Sequence, residues 1–189
     1  MHRTTTETDI ALTFVVDGSG RADVSTGIGF LDHMLELFAH HGGFDLTVAA
    51  KGDLEVDGHH TVEDIGLALG QVLGEALGDK RGIRRYGSFL LPMDEALAMV
   101  ALDLSGRPFF VHDLELTGVR VGDFDAGLTA HFLSSLAMRS GMTLHVRLLA
   151  GSDPHHIVEA VFKAFARALA QACELHGRDD AVPSTKGIL

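Results

Sequence analysis

One cysteine in 189 residues, Cys173, excludes an internal disulfide framework and leaves no thiolate set to select a soft metal. No run of eighteen apolar residues occurs, so no membrane-spanning helix is expected. The N-terminus, MHRTTTETD, has no apolar stretch of the kind found in a secretory signal. Together these absences predict a cytoplasmic protein. Basic residues are also few. Fifteen Lys and Arg stand against 26 Asp and Glu, for a formal charge of −11 with no long basic run, which argues against nucleic acid as a partner.

Histidine is the residue in excess, with twelve in the chain. They come as spaced pairs and singles, a pattern of sites and not of low complexity. A hydrophobic content of 46% supports a real core, and the length suits one compact domain or two small fused ones.

Two stretches repeat each other. Asp57-Gly58-His59-His60-Thr61-Val62-Glu63 returns as Asp153-Pro154-His155-His156-Ile157-Val158-Glu159, at a constant offset of 96 residues. Each reads as the start of a helix. Asp57 and Asp153 are favourable caps, and Pro154 suits the first helical position, where its missing N–H costs nothing. On a helix, His59 and Glu63 are four apart and share a face, while His60 projects to one side. The same holds for His155, Glu159 and His156.

The surrounding pattern is duplicated too. Ile10, Leu12, Phe14 and Val16 alternate as a strand. Asp17-Gly18-Ser19-Gly20 predicts a hairpin into a second strand through Ala22 and Val24. A helix over about 30–40 is closed by Gly42-Gly43, a third strand runs through Phe44, Leu46 and Val48, and Leu54-Glu55-Val56 forms a short fourth. A long helix then spans about 58–77. The second half predicts strands over 88–91, 96–104, 109–116 and 142–149 and helices over 127–139 and 154–176. The fold class is α+β, an α/β sandwich with helices packed on mostly antiparallel sheets. The first repeat is 1–82, the second 83–176, and 177–189 a polar C-terminal tail. His33 and His131 match each other in the two shorter helices.

The candidate metal ligands are therefore His33, His59, His60, Glu63, His131, His155, His156 and Glu159. Imidazole with carboxylate suits Mn, Fe, Co, Ni or Zn. Divided evenly, two ions each receive three nitrogens and one carboxylate, leaving positions open on an octahedral ion for substrate or water. The expected division places His59, Glu63, His33 and one histidine of the other repeat on one ion, and His155, Glu159, His131 and His60 or its equivalent on the other. His2, His112, His145 and His176 lack such partners and read as ordinary surface or core histidines. Arg85, Arg107 and Ser184-Thr185-Lys186-Gly187 supply what an anion site needs: cations, small hydroxyls and close backbone approach. They point to a phosphorylated small substrate.

Gly29-Phe30-Leu31-Asp32-His33-Met34-Leu35, the 57–64 stretch, Asp103-Leu104-Ser105-Gly106-Arg107-Pro108 and Pro183-Ser184-Thr185-Lys186-Gly187 resemble the imidazoleglycerol-phosphate dehydratase family over nearly the whole chain. The resemblance implies a tandem repeat of a ribosomal-protein-S5-domain-2-like unit. It implies dehydration of imidazole glycerol phosphate to imidazole acetol phosphate in histidine biosynthesis, with two Mn2+ per active site. It also implies a homo-oligomer of 24 subunits with sites between subunits. The eight ligands match the family's positions. Glu7, His41, Arg85, Arg107, Ser184, Thr185 and Lys186 match substrate-binding positions, which makes 177–189 a substrate-binding tail.

The proton to be removed lies on a carbon with no neighbouring carbonyl, so the imidazole ring is the expected electron source, as a metal-bound imidazolate that passes through a diazafulvene. Glu7 is the expected acid/base, with a metal-bound water as the competitor. A phosphate-ester hydrolase and a metal-storage shell are the competing readings, and the second leaves Arg85, Arg107 and the tail unexplained. Lys186→Ala should raise KM for the phosphorylated substrate while metal content stays unchanged. A lower metal content with unaltered KM would remove Lys186 from the phosphate site.

Overall fold

The computed structural model describes residues 1–176 and 181–184 of the chain. The first half runs β1 (His2–Thr4), β2 (Thr8–Val15), β3 (Ala22–Ser25), α1 (Gly29–Gly42), β4 (Asp45–Gly52) and α2 (His59–Leu77). The second runs β5 (Tyr86–Met93), β6 (Ala96–Asp103), β7 (Phe109–His112), a short hairpin of β8 (Arg120–Val121) and β9 (Phe124–Asp125), then α3 (Leu128–Ser140), β10 (Thr143–Ala150) and α4 (Pro154–Cys173).

Alternation builds the sheets. Thr8, Ile10, Leu12 and Phe14 of β2 are buried and the residues between them are exposed, as expected for a sheet with one face on a core. The two four-stranded sheets have matching orders, β1-β2-β4-β3 and β5-β6-β10-β7. In each, three strands pair antiparallel and the fourth joins in parallel, β3 on β4 and β7 on β10. The sandwich of two similar sheet–helix halves expected from the sequence is therefore present.

Helices α1 and α2 cover the inner face of the first sheet, and α3 and α4 that of the second. The strongest helix pairings cross between halves, α1 on α4 and α2 on α3. Phe38 of α1 stacks on Phe165 of α4 with ring centroids 5.5 Å apart. On the other side, Gly66 and Gly70 bring α2 against α3. A Cβ on Gly66 would lie 2.8 Å from the carbonyl oxygen of Phe132, and one on Gly70 2.6 Å from that of Leu136. One hydrophobic core thus runs through both halves.

The structure departs from the sequence expectations at several connections. The 17–20 turn does not make a hairpin, because β3 pairs with β4 and not with β2. The Asp45 carboxylate accepts from the backbone N–H groups of Ser19 and Arg21 and from the Arg21 guanidinium, which draws the turn across the end of β4. Leu54-Glu55-Val56 is a turn, closed by the Val56 N–H on the Asp53 carbonyl, and not a strand. The 109–116 strand stops at His112, where the Leu114 N–H turns back onto His112 Nδ1 and Asp113 accepts from Leu148 N–H. Helix α4 ends at Cys173, since Leu175 makes a β-bridge to Ile83. Strand β1 and the β8–β9 hairpin are too short to leave a periodic signal. Pro92 sits inside β5, which tolerates it as an edge strand.

Cys173 is buried, and burial pushes its thiol up to about 12. No helix among the described residues is long and apolar enough to cross a membrane. Alanine normally favours a helix over glycine, but at Gly70 the facing backbone reverses the sign. Gly70→Ala should cost about 1–3 kcal/mol in urea unfolding through overpacking.

Candidate metal and substrate site

Both paired motifs start their helices as their carboxylates dictate. Asp153 caps α4 by accepting from the His155 N–H at 2.8 Å, with Pro154 in the first turn. Asp57 accepts from the His59 N–H at 2.7 Å, although the residue that formally caps α2 is Gly58. This fixes His59 and His155 in the first helical turn, with the glutamate one turn further on.

The cross-packing of the helices then assembles two groups. Nε2 of His59 and of His131 lie 3.5 and 3.2 Å from the same oxygen of Glu63. Nε2 of His33 and of His155 lie 3.6 and 3.2 Å from one oxygen of Glu159. Within each group the donor atoms lie within 4.8 Å of one another, and either group could hold a metal ion. Two imidazole nitrogens converging on one carboxylate oxygen, with no cysteine in either group, fit a divalent ion of the Mn, Fe or Zn type. The grouping of the short-helix histidines is the reverse of the expected one: His33 joins His155 and Glu159, and His131 joins His59 and Glu63. The reason is that α1 packs on α4 and α3 on α2, so each short helix serves the long helix of the other half.

The two groups differ in setting. The Glu159 side chain is 9% exposed and that of Glu63 39%. Burial raises the Glu159 carboxyl, but the Lys163 ammonium bonded to it, with His33 and His155, outweighs burial and holds it below the ordinary value. Leu67 occupies the position in α2 that Lys163 occupies in α4. His41 lies near Lys163 at the far end of α1, and burial together with Lys163, His40 and Arg167 lowers its basicity.

His60 and His156 stand apart from both groups. His60 Nδ1 is 2.9 Å from Asp53 Oδ2, and His156 Nδ1 is 2.8 Å from Glu95 Oε2. These bonds raise the basicity of both rings. Glu7 lies 3.8 Å from His60 Nε2, in a cavity of about 210 Å³ also lined by Arg3, Thr5, Glu63 and Asp64. Its turn is firmly built. Thr5 Oγ1 accepts from the N–H groups of Glu7 and Thr8, and the buried Asp64 accepts from Arg3 and from the Thr8 hydroxyl. A larger cavity, about 560 Å³, opens beside His59 between the 54–58 loop and the β8–β9 hairpin.

The anion candidates lie elsewhere. Arg85 forks onto Asp103 at 2.7 and 3.1 Å and donates to the Pro183 carbonyl at 2.8 Å. The bond to Asp103 raises its already high pKa. Arg107 Nη2 is 3.9 Å from the same carboxylate, on a side chain 71% exposed. Ser184 follows Pro183 directly, and Thr185 and Lys186 lie outside the described residues. The Arg85 N–H bonds the carbonyl of Ala172, in the last turn of α4, whereas His155 is in the first. At 1.5 Å per residue this separates the two sets by about 25 Å within one chain. Sequence reasoning missed Lys163, whose four-residue spacing from Glu159 could have flagged it. It also missed Asp53 and Glu95, for which no local spacing exists.

The fold and the two His-His-Glu groups define a duplicated α+β protein able to hold metal ions. Residues 26–169 match the family model for imidazoleglycerol-phosphate dehydratase. The imidazoleglycerol-phosphate dehydratase of Acetivibrio thermocellus is 57% identical over 187 residues, spanning 99% of this chain and 96% of the relative. That of Roseobacter denitrificans is 56% identical over 188 residues, spanning 99% and 96%. Among solved structures, the Pyrococcus furiosus enzyme in complex with (S)-C348 is 38% identical, covers all of both chains and superposes with a TM-score of 0.86. The Staphylococcus aureus enzyme is 39% identical over 93% of this chain and 98% of that one, with a TM-score of 0.82. The chain belongs to the imidazoleglycerol-phosphate dehydratase family.

The grouping can be tested by double-mutant cycles on Mn2+ affinity. His33→Ala should couple with His155→Ala by about 0.5–3 kcal/mol and add independently to His59→Ala. Coupling to His59 in place of His155 would reverse the grouping.

Proposed function

We propose that the two His-His-Glu groups, Glu7 and the Arg85–Arg107 pair together carry out the family's reaction. That reaction is the dehydration of imidazole glycerol phosphate to imidazole acetol phosphate, a hydro-lyase step of histidine biosynthesis. The observation that carries the proposal is the convergence of two Nε2 atoms on one carboxylate oxygen in each group, in a chain of this family. Mn2+, two per active site, is the proposed metal, and when bound it supplies Lewis acidity at the substrate's imidazole ring. His33, His155 and Glu159 hold one ion, and His59, Glu63 and His131 hold the other. His60 and His156, which stand apart from both groups within the chain, complete them across the boundary between copies.

Glu7 is the proposed acid/base. Its turn is pinned to α2 through Asp64, its carboxylate faces His60 Nε2, and it shares a cavity with Glu63. From there it takes the carbon-bound proton and serves the departing hydroxyl. Arg107, Ser184, Thr185 and Lys186 hold the phosphate, using binding energy remote from the reacting carbons to fix geometry. Arg85 contributes from behind. Its guanidinium is locked by Asp103 and ties down the Pro183 carbonyl just ahead of those residues. His41, near Lys163 at the far end of α1, is a further proposed substrate contact.

A substrate of this size cannot bridge the roughly 25 Å between the ends of α4. The complete site is therefore proposed to form between copies, in an assembly of 24 subunits in the cytoplasm. The second sheet supports assembly: among the described residues its outer face exposes the large hydrophobics Leu90, Met99 and Phe109, against Val15 on the first.

With Mn2+ and imidazole glycerol phosphate, the protein should yield the enol product by ultraviolet absorbance without release of inorganic phosphate. Glu7→Gln should lower kcat by about 10²–10⁴. Phosphate release without the enol would favour the hydrolase reading instead.

A further inference from the structure

Each half of the chain has the same frame around its second histidine. A glutamate stands immediately before the second strand: Glu7 before β2 and Glu95 before β6. One residue stands immediately after the strand that is third in each sheet order: Asp53 after β4 and Gly151 after β10. Duplication alone would have the same residue hold the histidine in both halves, yet the halves differ. In the second half Glu95 takes His156 Nδ1, with its other oxygen bound by the N–H groups of Ser152 and Asp153 at 3.2 and 2.8 Å. In the first half Asp53 takes His60 Nδ1, and its own N–H donates to the Glu7 carbonyl at 3.1 Å. Two different positions in the frame reach the same result.

That result has a chemical meaning. A neutral imidazole that donates Nδ1–H to a carboxylate keeps Nε2 as a lone pair, in a fixed tautomer and ring orientation. Each Nε2 also faces a further carboxylate, Glu7 at 3.8 Å and Asp94 at 3.7 Å. Both distances are too long for a hydrogen bond.

We propose that Asp53 and Glu95 are positioning residues for metal binding, holding the Nδ1–H of His60 and His156 so that each Nε2 is presented to a divalent cation. The proposal rests on the reading of this chain as a metal-dependent dehydratase. A division of labour follows from it. Because Asp53 has taken over the ring, Glu7 is released from the duty that its counterpart Glu95 performs, and its carboxylate is available for proton transfer. In the second half, where Gly151 offers no carboxylate, Glu95 itself holds the ring, and the carboxylate that faces His156 Nε2 is Asp94.

The test is Mn2+ binding by calorimetry on the full chain, with circular dichroism melts of the metal-free protein to check folding. Asp53→Ala and Glu95→Ala should each weaken Mn2+ binding about 10–100-fold. Asp53→Asn and Glu95→Gln keep an acceptor for Nδ1–H and should recover most of the loss. Glu7→Gln should lose turnover and keep Mn2+ affinity. Folded alanine variants that bind Mn2+ as tightly as the unaltered chain would overturn the positioning role, as would Asn and Gln variants no better than alanine. If the unaltered chain itself binds no Mn2+, the metal-dependent reading fails, and this proposal with it.

Discussion

The crossed packing of the helices is the constraint on which the candidate site depends. Helix α1 of the first half lies on α4 of the second, and α2 lies on α3. Neither half can form a His-His-Glu group alone, because each long helix supplies one histidine and the glutamate and must borrow the other histidine across the boundary. The packing that permits this is specific. Gly66 and Gly70 remove the side chains that would hold α2 away from α3, and Phe38 stacks on Phe165 between α1 and α4. The sheets contribute by carrying the helices. Matching strand orders give the two halves the same frame, so that equivalent residues reach equivalent places.

Within that frame the halves have diverged where the chemistry is. Lys163 bonds to the buried Glu159, while Leu67 stands in its place beside the more exposed Glu63. Asp53 and Glu95 hold corresponding histidines from different positions. Arg85 and Asp103 lie at the far end of α4, tied to the chain just before Ser184. A duplicated scaffold supplies paired metal-binding geometry, and the departures from symmetry leave one candidate acid/base and one candidate anion site.

Local pattern carried much of this. The alternation in β2, β4, β6 and β10, the helix starts at Asp57 and Asp153, and the shared face of His59 and Glu63 all follow from spacing and capping within a few residues. The connections were less legible. A turn of Asp, Gly, Ser and Gly between two alternating runs favours a hairpin, but a side chain far along the sequence, Asp45, captured that turn and sent β3 to the other side of β4. The Leu54–Val56 run had the composition of a strand but no neighbour to pair with. Asp53 and Glu95 carried no signal, because their partners become neighbours only once the chain is folded.

The sequence by itself determined which residues could serve: the repeated His-His-x-x-Glu, the histidine in each short helix, and the arginines and hydroxyls of an anion site. These are local features, set by side-chain chemistry and helical periodicity. Tertiary structure decided which of them meet. Which short-helix histidine joins which glutamate depends on the pairing of α1 with α4 and α2 with α3. That pairing is set by shape complementarity over whole helix faces, and no spacing along the chain encodes it. The same holds for the distance between the His33–His155–Glu159 group and Arg85, which is set by α4.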